Sequence, residues 1–174
     1  TEMFLVKLTL GRSGRVDMNR DNGRRLKLPL ETTRYTPDGV RIRDASLALD
    51  VVADRALTSG DRPAAAAAIQ AGIEARRSWM SDEMLRKALP GHYLDLSWNR
   101  LLTREPRAAL EAAQTGLALT PDNLTLQTNR AHALLLLGRE SEALAAYRRH
   151  IGQRVGGSGS RLWEEEILND LNEL

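Results

Sequence analysis

The 174-residue chain contains no cysteine, and its aromatics are sparse: three Trp, three Tyr and one Phe. Without thiols there are no disulfides, no thiolate metal ligands and no cysteine nucleophile, which fits a reducing compartment. No apolar run approaches the roughly 20 residues needed to span a bilayer, and the start lacks the charged-then-apolar layout of a secretory leader. The expectation is a cytoplasmic protein with no membrane association. The chain opens on Thr1 and not on Met, as a segment cut from a longer polypeptide would.

Among the residues that are present, alanine and leucine carry most of an apolar fraction of 42%, and 28% of residues are charged. Small aliphatic side chains without bulky rings favour closely packed helices. The net charge of +2 conceals an uneven distribution. Residues 1–43 hold ten Lys/Arg against five acids, whereas residues 161–174 hold Arg161 against Glu164, Glu165, Glu166, Asp170 and Glu173. An anionic partner for the basic end is one reading; a solvated surface, or attraction between the two ends, is the plainer one.

Three sections are expected along the chain. Residues 1–43 form a basic extended or β section, in which "MFLVKLTL", "LKLPLETTRY" and "TPDGVRIR" read as short strands; the last follows a turn at Pro37-Asp38-Gly39. Residues 44–157 switch to helical periodicity. Helices are separated by breaks at Gly60-Asp61, at Arg104-Glu105-Pro106 and at Gly138-Arg139-Glu140. Residues 158–174 comprise a Gly/Ser loop, continuing from "GQRVGGSGS", and a final amphipathic helix. That helix gathers Leu162, Trp163, Ile167, Leu168, Leu171 and Leu174 on one broad face.

The helical section repeats itself. Gly60, Arg104 and Gly138 fall at the turn inside a helix pair; Ala65, Ala109 and Ala143 lie five residues later, and Ala53, Ser97 and Ala131 seven residues earlier. The last two copies are offset by 34 residues. This pattern resembles the tetratricopeptide repeat, a helix-turn-helix unit of about 34 residues with small residues where helices meet and a proline after the second helix, where Pro121 stands. The resemblance covers residues 46–157. It is carried by Asn129, Ala131, Leu134, Gly138, Ala143 and Tyr147 in one unit, by Tyr93, Leu96, Ser97, Ala109, Gly116 and Pro121 in another, and by Ala53, Gly60, Ala65 and Gly72 in a first copy. Arg130 and His150 depart from the pattern, and Met80 to Leu89 intervene after the first copy. The implied fold is mainly α: a solenoid of helix pairs with an extended N-terminal section, and the C-terminal helix capping the end that such arrays leave apolar.

Motifs for chemistry are missing. His92, His132 and His150 are scattered without metal-ligand spacing, and "GRSGR" and "GGSGS" lack the lysine or the strand-to-helix context of a phosphate loop. The expectation is therefore no catalysis, no cofactor and no metal. The resemblance implies instead protein–protein interaction through a concave groove lined by the first helix of each pair. Its lining positions map to Asp50 and Asp54, to Asp95, Trp98 and Leu102, and to Asn129, His132 and Leu136. The aspartates point to a neutral or basic peptide or protein segment as partner, with Trp98 offering apolar and cation–π contact or packing between units. Two alternatives accompany this reading: a helical tail of a larger, bacterial-looking multidomain protein, and anion or nucleic-acid contact through Arg12, Arg15, Arg20, Arg24 and Arg25. Few aromatics lie among those arginines, which weighs against nucleic acid.

Overall fold

The structure, a computed structural model, describes residues 9–10, 16–17, 37–155 and 161–174. The chain divides into two units, 1–34 and 35–174. In the first, β1 (Thr9–Leu10) pairs antiparallel with β2 (Val16–Asp17), with Leu10 opposite Val16. The arginines proposed for anion contact and "LKLPLETTRY" lie outside the described residues.

Seven helices account for most of the described residues: α1 (Pro37–Ser59), α2 (Arg62–Arg77), α3 (Asp82–Leu102), α4 (Pro106–Leu119), α5 (Leu124–Leu136), α6 (Glu140–Arg149) and α7 (Trp163–Glu173). The strand expected over "TPDGVRIR" is overturned, because α1 begins at Pro37 and runs through it. Proline's fixed φ suits a first helical turn as well as a β-turn, and the N–H it lacks would be unpaired there anyway. The ten residues from Met80 to Leu89, which intervene after the first copy, supply the cap and the first turns of α3. Ser81 caps α3 and Asp82 to Leu89 build its first turns, ahead of an internal Pro90.

The three breaks adopt one geometry. Gly60, Arg104 and Gly138 have φ of 77°, 61° and 73°. In each case this residue's N–H donates to the carbonyl three back (Leu57, Leu101, Leu135). The next residue's N–H reaches five back, to Ala56, Arg100 and Leu134. This paired capping closes a helix through one left-handed residue and satisfies carbonyls that would otherwise be orphaned. Asp61 then caps α2 by accepting from Ala64 N at 3.0 Å, and Pro106 opens α4. Asn123 caps α5 by accepting from Leu126 N at 3.0 Å.

Each helix from α1 to α5 packs on its successor, α5 packs on α6, and α3 also lies against α5. Ala65, Ala109 and Ala143, the small residues of the repeat frame, are completely buried, as are Ser97 and Ala131, while Ala53 is nearly so. At Gly116 the approach of α4 is so close that a Cβ would stand 2.8 Å from Leu126 Cδ1 and 2.9 Å from Tyr93 Cβ. One core gathers Ile69, Ile73, Leu89, Tyr93, Leu96 and Leu126; another gathers Leu101, Ala109, Leu110, Leu134 and Ala143. Burial of this many aliphatic side chains, at roughly 25 cal/mol per Å² of apolar surface removed from water, is what holds the helices together.

The C-terminal segment is more ordered at its edges than its glycines imply. Within "GQRVGGSGS", β3 (Arg154–Val155) pairs antiparallel with β4 (Arg161–Leu162), and residues 156–160 lie outside the described residues. Val155 is 6% exposed, and burying a β-branched side chain outweighs the freedom of the neighbouring glycines. α7 then packs on α5. Trp163 is fully buried, its indole N–H donating to Tyr147 O at 2.7 Å and its ring meeting His150 edge-on at 5.0 Å. The expected broad apolar face of α7 is only partly buried: Leu168 is 65% exposed and Leu171 38%. The inward face includes Asp170 instead.

Candidate partner-binding surface

Side chains three, four and seven residues apart share a helix face. On α1 this aligns Asp50 with Asp54; on α3 it aligns Asp95, Trp98 and Leu102; on α5 it aligns Asn129, His132 and Leu136. The surroundings of these eight residues differ sharply.

Asp50 is half-buried and engaged. It forms an ion pair with Arg76 of α2, itself 5% exposed and also donating to Gly72 O at 3.2 Å, and it lies 3.3 Å from His92 Nε2 on α3. Its carboxylate therefore joins three helices. This contact sets α1 beside α3 and leaves Asp54 and Asp95 together on the exposed side. Neither Asp54 nor Asp95 has a salt-bridge partner among the described residues. The carboxyl pKa of Asp95 is raised, chiefly by partial loss of solvent. His92 opposes that rise, and the charge of Asp54 adds to it. The two acids thus repel across the surface, and the nearby His92 offsets that repulsion at Asp95.

Farther along α3, Trp98 and Leu102 are half-buried, and the Trp98 ring packs on the core of Leu101, Ala109, Leu110 and Leu134. Trp98 therefore does structural duty while keeping an accessible edge. Leu136 on α5 is 37% exposed.

Asn129 and His132 face inward. Asn129 is 2% exposed and donates its amide to Ser97 Oγ at 2.8 Å and Leu94 O at 3.3 Å, tying α5 to α3. His132 is wholly buried between Tyr147 Oη, 2.8 Å from Nδ1, and Asp170 Oδ2, 3.2 Å from Nε2. These contacts join α5, α6 and α7. Burial, and secondarily the charge of Asp170, raises the pKa of the Tyr147 phenol. A phenol held protonated in this way is the opposite of an activated nucleophile, so the Tyr–His–Asp series reads as a buried joint.

Sequence reasoning missed the partners that decide these outcomes: Arg76 and His92 for Asp50, Ser97 for Asn129, Tyr147 and Asp170 for His132. Only Asp170 carried a usable signal, as an acid seven residues after Trp163 and three after Ile167, on the side of the helix otherwise read as apolar. Among the described residues no three His, Asp or Glu side chains converge in a way that would hold a metal ion, and no helix is long and apolar enough to cross a membrane. No family model, no curated protein and no solved structure matches this chain.

Proposed function

We propose that α1–α6 stack as helical hairpins of tetratricopeptide type, and that the exposed side of α1 and α3 serves as a non-catalytic docking surface for a neutral or basic protein segment. The stacking is supported by three turns of one geometry and by the contact of α3 with α5, two helices that each open a pair. α7 acts in this reading as the cap of the last pair.

The observation that carries the binding role is the Asp54–Asp95 pair: two exposed carboxylates on neighbouring helices, unpaired among the described residues, the one raising the pKa of the other. A lysine or arginine from a partner would relieve that repulsion and gain two charge-assisted contacts. Trp98, Leu102 and Leu136 supply apolar surface around them, while Asn129 and His132 maintain the geometry from inside.

The test is binding of the full chain to an array of Lys/Arg-containing and uncharged peptides, read as affinity at low and moderate salt. Neutralising Asp54→Asn and Asp95→Asn together should weaken basic peptides by about tenfold and flatten their salt dependence, and Trp98→Ala should weaken both classes. Equal binding by the wild-type protein and the double amide variant defeats the assignment.

A further inference from the structure

The end of the chain, β4 with α7, carries its own local order. Glu165 accepts from the Leu162 N–H at 2.9 Å, and Arg161 pairs with Glu166 at 3.4 Å. Outward, the segment bonds to a surface built by α5, α6 and the turn into β3. Trp163 donates its indole N–H to Tyr147 O and its backbone N–H to Gln153 O at 2.8 Å; Glu164 accepts from the Gly152 N–H at 3.0 Å, and Asp170 meets His132. Leu174 adds an apolar contact with the core around Leu101 and Leu134.

Two fittings make that surface selective. One is a slot that encloses the Trp163 ring completely, with the His150 ring against its edge. The other is His132, wholly buried, whose Nε2 lies 3.2 Å from Asp170 Oδ2; a carboxylate only accepts, so Nε2 carries the hydrogen. Their complement is an indole followed, two helical turns on, by an acid. Of the three tryptophans, Trp79 has Arg86 at that distance, and Trp98 has Glu105, which Arg100 and Thr103 already engage. Trp163 with Asp170 is the matching pair. An empty groove would return to water the roughly 150–250 Å² that a buried aromatic covers, and would strip His132 of its acceptor.

We infer that this groove also takes the α7 of a second copy of the chain, two copies exchanging their C-terminal segments to form a two-fold dimer. A second copy presents the same Trp163 and Asp170, so every contact of the groove is reproduced and the exchanged form differs mainly in chain entropy. The link from β3 to β4 is Gly156-Gly157-Ser158-Gly159-Ser160, which has no large side chain to bury, and fully extended it reaches roughly 20 Å from Val155 to Arg161. A helix as short as α7 is marginal alone in water, so once released it regains order by filling a groove, its own or a neighbour's. A tether of this length holds α7 at a local concentration in the millimolar range, which keeps dilute chains monomeric and lets concentrated ones exchange. The inference is independent of the docking surface on α1 and α3.

The absence of cysteine allows a covalent test. Arg154 and Leu162 stand opposite each other across β3 and β4. Because the neighbouring pair, Gln153 and Trp163, is hydrogen-bonded, Arg154 and Leu162 occupy the position where side chains come closest. The full-length double variant R154C/L162C is unfolded in reductant, refolded at about 10 μM or about 1 mM, and then oxidised. The thiols should join within one chain at the lower concentration and between chains at the higher, giving a covalent dimer on non-reducing electrophoresis that reductant dissolves. Sedimentation of the unmodified chain, refolded in the same way, should show monomer at the lower concentration and at least about half dimer at the higher. Trp163→Ala, which empties the slot, should abolish that dimer. Monomer alone at both concentrations in the unmodified chain, or a dimer of the double variant whose disulfides all close within single chains, overturns the inference.

Discussion

Arg104 occupies a backbone conformation that the other two equivalent turns assign to glycine, and replacing it by glycine should stabilise the protein. Its φ of 61° matches 77° at Gly60 and 73° at Gly138, and the two capping hydrogen bonds at each turn are the same. A side chain with a Cβ costs about 1–2 kcal/mol in the left-handed region. Glycine costs roughly 0.5–1 kcal/mol more than alanine in chain entropy on folding, which subtracts from the gain. The Arg104 side chain is exposed and makes no hydrogen bond or ion pair among the described residues, so its removal loses little. The net expectation for Arg104→Gly is about 0.5–1 kcal/mol of added stability, or roughly 2–3 °C in melting temperature for a chain of this size. The converse variant, Gly138→Ala, isolates the strain. An added Cβ there meets nothing within 4 Å, so any loss comes from φ alone. After the same entropy offset it should cost about 0.5–1 kcal/mol, or roughly 2–3 °C. Calorimetric unfolding of both variants checks the pair. A lower melting temperature for Arg104→Gly, or an unchanged one for Gly138→Ala, refutes the equivalence of the turns.

Two further outcomes follow from packing and ionisation. Gly116→Ala forces a Cβ within 3 Å of Leu126 Cδ1 and Tyr93 Cβ and should destabilise by about 1–3 kcal/mol in chemical denaturation, whereas Gly60→Ala suffers only its backbone penalty. Tyr147, whose pKa is raised above its ordinary 10.0, keeps its full contribution below pH 10; above that the unfolded chain ionises first and stability declines by up to about 1.4 kcal/mol per pH unit. Tyr147→Phe should flatten that alkaline decline in denaturation midpoints measured from pH 8 to 11, with the residual slope coming from Tyr93, which burial shifts the same way.

The local features were legible in the residues themselves. Helical periodicity, the breaks at Gly60, Arg104 and Gly138, and the alanines five residues beyond each break are statements about neighbours in the chain, and short-range sterics and hydrogen bonding enforce them. The same reasoning failed at Pro37, where one local preference suits two structures and the helix that follows selects between them.

What only the tertiary structure decided is which side chains on one helical stripe remain available. Asn129 and Leu136 share a face of α5, yet one is spent on Ser97 of α3 and the other is left in solvent. His132 is enclosed because Tyr147 and Asp170 reach it from two other helices, and Asp50 is neutralised by an arginine 26 residues away while Asp54, four residues further on, is not. Periodicity fixes the direction in which a side chain points; burial and pairing depend on which distant segment arrives there, and that is determined by the packing of the whole chain.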